Sequence, residues 1–141
     1  NVKLVKKLGI QEFVREHGYL NHKESLDYVL SSDVLWLMLG RLKNVETVST
    51  GKLFEYFGTR KPILGCLPDG TAKTELQKYG ASFICEPDDI SGIKQTLMEI
   101  HSLYKAGKLP KPNEEYVLKH DRSVLTEQLT TLFQFNIRAE I

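Results

Sequence analysis

The sequence predicts an α/β fold in which a parallel sheet carries helices on both faces. Short apolar runs alternate with amphipathic stretches along the chain, so strands and helices are expected to alternate as well. The longest run, Val34–Leu39 (VLWLML), is continuously apolar, which is typical of a strand covered on both faces. Right-handed crossovers would place the loops after the strands' carboxyl ends along one edge of the sheet.

Length and composition are those of one soluble globular domain. The 141 residues are 41% hydrophobic and 26% charged, and the net charge of +1 argues against nucleic acid as a partner. The longest apolar run is far shorter than the span of about 20 residues that crosses a bilayer. Cys66 and Cys85 have no metal-like spacing and lie in apolar stretches, so we interpret them as buried free thiols in a reducing compartment.

The first predicted elements precede the apolar strand. The opening residues VKLVKKLG are typical of a helix that ends at Gly9, so the chain is expected to be a piece of a longer protein, with its domain truncated at the N-terminus. Residues 13–17 (FVREH) alternate weakly, which predicts a short strand. Residues 23–30 have apolar positions at helical spacing, with Asn21 or His22 placed to cap the helix.

The middle of the chain continues the alternation. Val34–Leu39 is the next predicted strand, and a polar connection follows it over residues 40–48. The later elements are a helix over 51–58, a strand over 62–66, a helix over 71–79, a strand over 82–85 and a helix over 90–105. Between them, LPDG (residues 67–70) has the composition of a turn.

The C-terminal part changes character. Residues 1–106 are assigned to the sheet domain, and 107–122 to a linker because prolines and lysines collect there. The helical pattern continues to Phe133, and we assign a C-terminal helix to 123–135. Its apolar residues share one face: Leu125, Leu129, Leu132 and Phe133. This face is expected to contact the domain or a missing N-terminal domain, and to drive self-association if left exposed.

Small residues stand at the start of the helix predicted over 51–58. Backbone N–H groups in a first helical turn have no partner within the helix, and the helix dipole adds positive potential there. Ser49, Thr50 and Gly51 have no bulky side chain, so a phosphate could approach closely, and Lys52 could add a positive charge. The alternative is a small-residue helix cap followed by a solvated lysine.

One carboxylate, Glu55, follows a turn later in the same helix. Leu53, Phe54 and Phe57 are expected to form the buried face. Glu55 therefore points elsewhere, to the side of the helix that it shares with Gly51, Lys52 and Thr59. Two interpretations remain open. Glu55 pairs with Lys52 at i, i+3 spacing, or it accepts hydrogen bonds from a neutral diol, as acidic residues do with ribose in dinucleotide-binding folds.

Motifs along most of the chain occur in a specific order. They lie in VREHGYLNHKESLDYVLSSDVLWLML, STGKLFEYFGTRKPIL, LPDGTAKTELQKYGASFICEPDD and the terminal helix. Ser-Asp precedes the apolar strand, and GKLFEY, a Gly-x-x-x-Pro turn, PDG and Pro-Asp-Asp follow it in turn. In this order the chain resembles the C-terminal, nucleotide-sugar donor-binding domain of GT-B glycosyltransferases, within the "group 1" family of retaining enzymes. The resemblance implies a Rossmann-like sheet.

The resemblance also implies a donor site. The glutamate of the GKLFEY-type helix, here Glu55, would hold the ribose hydroxyls of the nucleotide sugar. Residues 49–51 would lie against the diphosphate or the sugar, and residues 18–20 match a loop whose backbone borders the base. The donor-binding residues implied in this way are Glu55, Lys52, Gly51, Thr50, Ser49, Gly18, Tyr19 and Leu20.

Two departures from the family pattern concern the sugar and the diphosphate. A second glutamate often stands eight residues before the ribose-binding one, where this chain has Thr47 beside Glu46. The basic residues that usually clamp the diphosphate belong to a first strand–helix unit, which is expected to be missing here. The acceptor side is expected in a missing N-terminal domain, so no catalytic residue is assigned. The resemblance requires no metal and no other cofactor.

The implied function is hexosyl transfer from a nucleotide sugar to a saccharide or lipid-linked acceptor, as in polysaccharide biosynthesis. The protein is expected in the cytoplasm or peripherally at the inner face of the membrane, and this fragment alone is expected to be inactive. Two alternatives remain. One is an epimerase-like enzyme acting on nucleotide sugars, and the other is a non-enzymatic α/β binding module. A receiver-like module would need an Asp that ends a strand. Asp33 precedes its strand, which counts against such a module.

Overall fold

The structure, a computed structural model, describes residues 2–41 and 43–139. It is an α/β protein with a small open parallel sheet, which confirms the predicted class. The strands are β1 (Leu35–Met38), β2 (Ile63–Cys66) and β3 (Ser82–Cys85), hydrogen-bonded in the order β1-β2-β3. The sequence order of the strands is therefore also their spatial order.

Helices flank the strands along the chain. They are α1 (Val2–Leu8), α2 (His22–Ser31), α3 (Gly51–Thr59), α4 (Thr71–Tyr79), α5 (Ile90–Lys105), α6 (Glu114–Leu118) and α7 (Arg122–Ala139). Short 3-10 turns occur at Gln11–Phe13 and Val45–Thr47. None of the helices in these described ranges is long and apolar enough to cross a bilayer.

The core lies in two clusters that use alternate residues of the strands. In the larger cluster, Leu35, Leu37 and Ile63 of the sheet contact buried residues of three helices. Those helical residues are Leu53 and Phe57 of α3, Ala72, Leu76 and Tyr79 of α4, and Val117 of α6. The smaller cluster joins Leu64 and Cys66 to Ile100 of α5. Since neighbouring residues of a strand point to opposite faces, α5 lies on the face opposite α3 and α4.

Local sequence signals explain most element boundaries. The helix before Gly9 is confirmed as α1, and Gly9 takes the left-handed conformation (φ 67°) just after it. At α2, the side chain of Asn21 accepts a hydrogen bond from the Glu24 backbone, and the Glu24 carboxylate accepts one in return from the Asn21 backbone. The cap is therefore Asn21, and His22 is the first residue of the helix.

The strand predicted over residues 13–17 is wrong. A 3-10 turn covers Gln11–Phe13, and strand pairing among the described residues is confined to β1, β2 and β3. Phe13 is 78% exposed, so its segment buries no apolar face. Weak alternation without a face to bury does not stabilise a strand, because an unpaired strand leaves its backbone groups unsatisfied.

The segment interpreted as a linker, 107–122, contains helix α6. The side chain of Asn113 caps this helix by accepting a hydrogen bond from the Tyr116 backbone, and Val117 is buried against the larger core cluster. Helix α7 runs beyond the predicted 123–135, to Ala139. The apolar residues predicted to share one face of this helix are largely exposed: Leu125, Leu129, Leu132 and Phe133.

Candidate functional site

The loop between β1 and α3 is held against the turn before α4. The hydroxyl of Thr71 donates a hydrogen bond of 3.1 Å to the backbone oxygen of Glu46. Gly70 lies so close to the same segment that a Cβ at this position would be 2.6 Å from the Glu46 Cα atom. Because β1 and β2 are parallel, this loop lies at the carboxyl ends of the strands. It leads directly into the predicted donor residues at the start of α3.

The start of α3 has unsatisfied hydrogen-bonding groups. Thr50, the N-cap residue, has an extended backbone, and its side chain makes no cap hydrogen bond. The Thr50 hydroxyl oxygen is buried and has no partner among the described residues. Gly51 is the first helical residue, and a Cβ there would meet no other atom within 4 Å. The first turn of α3 therefore offers the backbone N–H donors and the open space that an anion site requires. A buried hydroxyl lies beside them.

Glu55 is exposed and unpaired one turn further along α3. Within the described ranges it takes part in no ion pair and no side-chain hydrogen bond, so the pair with Lys52, one of the two interpretations of this carboxylate, is not formed. Leu53 and Phe57 are buried, as predicted. Phe54 was expected on the same buried face but is 38% exposed, because its ring packs edge-on against Phe57 at the border of the core. Glu55 is left with its hydrogen-bonding capacity unused.

Glu55 lies in the wall of a groove between α3 and the start of α7, which we call the α3 groove. Its volume is about 690 Å³. From α3 it is lined by Gly51, Phe54, Glu55 and Gly58, and from the opposite side by residues that include Leu118, His120, Arg122 and Ser123. The sequence predicted that Glu55 shares its side of the helix with Gly51, Lys52 and Thr59. Only Gly51 of these three lines the groove with Glu55.

An aromatic and polar cluster holds the opposite wall in place. The His120 ring stacks on Phe54 with ring centroids 5.2 Å apart, and its Nδ1 atom is 2.8 Å from the Tyr116 backbone oxygen. The Tyr116 hydroxyl donates to the Glu75 carboxylate, and partial burial together with this hydrogen bond raises the pKa of Tyr116. Partial burial acts to raise the pKa of Glu75 too, but the hydrogen bonds from Tyr116 and Lys78 outweigh it and lower that pKa.

Ion pairs connect the carboxyl ends of the three strands. Arg41, after β1, contacts Glu86 at 2.8 Å and Asp88 at 2.9 Å, both of which follow β3. Lys73 of α4 contacts Asp69 at 2.7 Å and Glu86 at 3.4 Å. The hydrogen bond and charge of Lys73 lower the pKa of Asp69. Each of these carboxylates therefore has a cationic partner.

The other predicted donor residues, 18–20, lie in the loop before α2. Gly18 takes a left-handed conformation (φ 66°), and Tyr19 is 98% exposed. No hydrogen bond within the described ranges joins this loop to residues 49–55, and it does not line the α3 groove. The strand that was expected to lead into the loop is not formed. Contact of residues 18–20 with a nucleotide base stays a prediction.

The start of α3 offers binding groups of two kinds. The N–H donors near Gly51 suit an anion, and the free Glu55 carboxylate suits hydroxyl groups. Gly51 and Glu55 are four positions apart in α3, about 6 Å along the helix axis, a distance that one ligand can span. In the described parts of the chain, no three His, Cys, Asp or Glu side chains lie close enough together to hold a metal ion. Comparison with known protein families, curated proteins and solved structures gives no match to this chain.

Proposed function

We propose that this chain is the donor-binding part of a GT-B glycosyltransferase of the "group 1" family. It would hold the nucleoside diphosphate of a nucleotide sugar for hexosyl transfer to a saccharide or lipid-linked acceptor. The observation that carries the proposal is the Glu55 carboxylate, which has no ion-pair partner among the described residues. It lies one turn after a helix start where the Thr50 hydroxyl has no partner in those residues either. A nucleoside diphosphate joins an anion directly to a diol, the two groups for which these side chains and amides are suited.

The proposed roles follow from the chemistry of each group. The N–H groups at Gly51 and the charge of Lys52 would stabilise the diphosphate, including the negative charge that develops on it as the leaving group. Glu55 would accept hydrogen bonds from the ribose hydroxyls, which fixes the orientation of the nucleotide. Both the acceptor site and any catalytic residue would come from another part of the enzyme. The proposed setting is polysaccharide biosynthesis in the cytoplasm or at the inner face of the membrane.

An exposed apolar face on β1 supports a further covering layer on the sheet in the proposed enzyme. Trp36 and Met38 are 59% and 60% exposed, although they belong to a continuously apolar strand. Strands of parallel sheets are normally covered on both faces. Further structure over β1 would cover these two side chains and complete the donor domain.

Replacing Glu55 by alanine is expected to weaken nucleotide binding. Calorimetric titration of the 141-residue chain with UDP, GDP and ADP should give saturable binding of one of them. The dissociation constant for that nucleotide should rise about 5- to 150-fold in Glu55→Ala, since hydrogen bonds to a charged group contribute about 1–3 kcal/mol. The matched control is Glu99→Ala, which removes another exposed helical carboxylate, on α5.

Three outcomes would contradict the proposal. The first is the absence of saturable binding for all three nucleotides to a chain whose circular dichroism shows it folded. The second is an equal change in affinity in the Glu55 and Glu99 variants, which would mean that only the overall charge matters. The third is equal binding of wild type and Glu55→Ala, which would remove the carboxylate from the site.

Substitution of Gly51 tests the proposed phosphate position separately. In Gly51→Ala the added methyl group meets no protein atom, and alanine favours the helix by up to about 1 kcal/mol relative to glycine. The fold should therefore be as stable as the wild type or more so, while the methyl group hinders close approach of the diphosphate. We expect at least a tenfold higher dissociation constant, about 1.4 kcal/mol, measured by the same titration.

Gly58→Ala is the control for this substitution. Gly58 belongs to the same helix and also has no atom within 4 Å of an added Cβ, but it lies two turns from the helix start. Its variant should melt at least as high as the wild type. Because Gly58 lines the α3 groove about 10 Å further along the helix than Gly51, the variant should lose less affinity for the nucleotide than Gly51→Ala. Unaltered binding by Gly51→Ala would move the diphosphate away from the α3 start.

A further inference from the structure

Cys66 and Cys85 are the last residues of two neighbouring strands. They are direct partners in the parallel register of β2 and β3, and their sulfur atoms are 3.5 Å apart. Neighbouring strands are about 4.8 Å apart, which lies within the Cα separation of about 4.4–6.8 Å that a disulfide can span. Both cysteines are free thiols. The fold has thus placed two thiols in reach of each other, although 18 residues separate them along the chain.

The two thiols differ in access. Cys66 is fully buried, and the indole N–H of Trp36 donates a hydrogen bond of 3.3 Å to its sulfur atom. Cys85 is half-buried, with its thiol directed at the Cys66 sulfur and, at 3.8 Å, at the Gly65 backbone oxygen. A small oxidant can therefore reach Cys85 first, and Cys66 is the thiol positioned to react with the product.

We propose that Cys66 and Cys85 form an oxidative modification site, at which hydrogen peroxide converts the two thiols to an intrachain disulfide. In the first step the Cys85 sulfur gives two electrons to the peroxide, whose O–O bond breaks, yielding a sulfenic acid and one water. The Cys66 sulfur then attacks the sulfenic sulfur, and the displaced hydroxide takes up the Cys66 proton and leaves as a second water. Overall, two thiols and one peroxide give one disulfide and two waters.

Local geometry and acidity set the rate of this reaction. The sulfur atoms must move from 3.5 Å to about 2.05 Å, a shift that strand ends next to turns can supply. Burial, with the neighbouring Cys66, raises the pKa of Cys85 to about 12. Since the thiolate is the reactive form, oxidation should be slow at neutral pH and quicken about tenfold per pH unit below that pKa.

The test uses the unmodified chain, which contains only these two cysteines and one tryptophan. After treatment with hydrogen peroxide, the disulfide should lower the summed mass of the two cysteine peptides by about 2 Da, the two thiol hydrogens; neither peptide contains Met38 or Met98, the exposed methionines that peroxide also oxidises. A tryptic digest should join the peptides of residues 61–73 and 79–94, and dithiothreitol should separate them. The emission of Trp36 should change in parallel, because its hydrogen-bond acceptor becomes a disulfide sulfur.

The control variant is Cys85→Ser, which changes the more accessible position. It should show neither the linked peptides nor the parallel change in Trp36 emission after peroxide. The proposal is overturned if the wild type only gains oxygen on Cys85, if linked peptides come only from disulfide dimers, or if both thiols remain titratable. The inference does not depend on nucleotide binding, so its outcome is independent of the proposed function.

Discussion

Phe57→Ala is expected to lower the free energy of unfolding by about 3–5 kcal/mol, the usual cost of removing a buried aromatic ring. Phe57 is 1% exposed and stacks on Tyr79 with ring centroids 4.6 Å apart. It also contacts Tyr116 and His120 edge-on, each at 5.9 Å. The ring thus joins α3 to α4 and to the α6–α7 turn, and alanine would leave a cavity among all of them.

Urea unfolding followed by circular dichroism measures this effect. Phe54→Ala is the matched control. It removes the same kind of ring from the same helix, three positions before Phe57, where the side chain is 38% exposed. The control should lose clearly less stability than Phe57→Ala, since less apolar surface returns to water. Equal losses in the two variants would show that Phe57 is not at the centre of the core.

Elements with strong local signals could be predicted from the sequence. The helices over 71–79 and 90–105 and the strand over 82–85 begin and end at the predicted residues. The two helices have a nearby start or stop signal: Gly80 ends α4 in a left-handed conformation, and the Asp89 side chain caps α5. Such signals act between residues a few positions apart, so a single sequence is enough to find them.

Elements that depend on distant contacts could not be predicted. The five residues of α6 are too few to show a helical period, and Val117 is buried only because the larger core cluster lies beside it. Arg41 binds Glu86 and Asp88, which lie 45 and 47 positions further along the chain. No spacing rule connects charges at that separation.

The candidate site was predictable on one side only. Residues 49–55 are contiguous, so the helix start and its carboxylate could be recognised together. The opposite wall of the α3 groove, with His120 and Arg122, comes from α6 and α7, and their position follows from packing against α3 and α4. The prediction of which residues lie on the same side of α3 as Glu55 therefore held only for Gly51.

Gly70→Ala should combine backbone strain with a steric clash. Gly70 has φ 151° and ψ −171°, a conformation that is essentially confined to glycine. An added Cβ would lie 2.6 Å from the Cα atom and 2.8 Å from the backbone oxygen of Glu46. We expect a loss of about 2–6 kcal/mol in the free energy of unfolding, since strain and overpacking each cost about 1–3 kcal/mol.

The same substitution links the turn before α4 to the proposed donor site. Because the clash is with backbone atoms of Glu46, a chain that still folds must shift the loop that leads to Ser49 and α3. Gly70→Ala should therefore raise the dissociation constant for the nucleotide, while Glu99→Ala, which changes an exposed residue of α5 outside the α3 groove, should not. Paired urea melts and titrations separate the two effects. Stability and affinity equal to wild type would show that the loop is not held by Gly70.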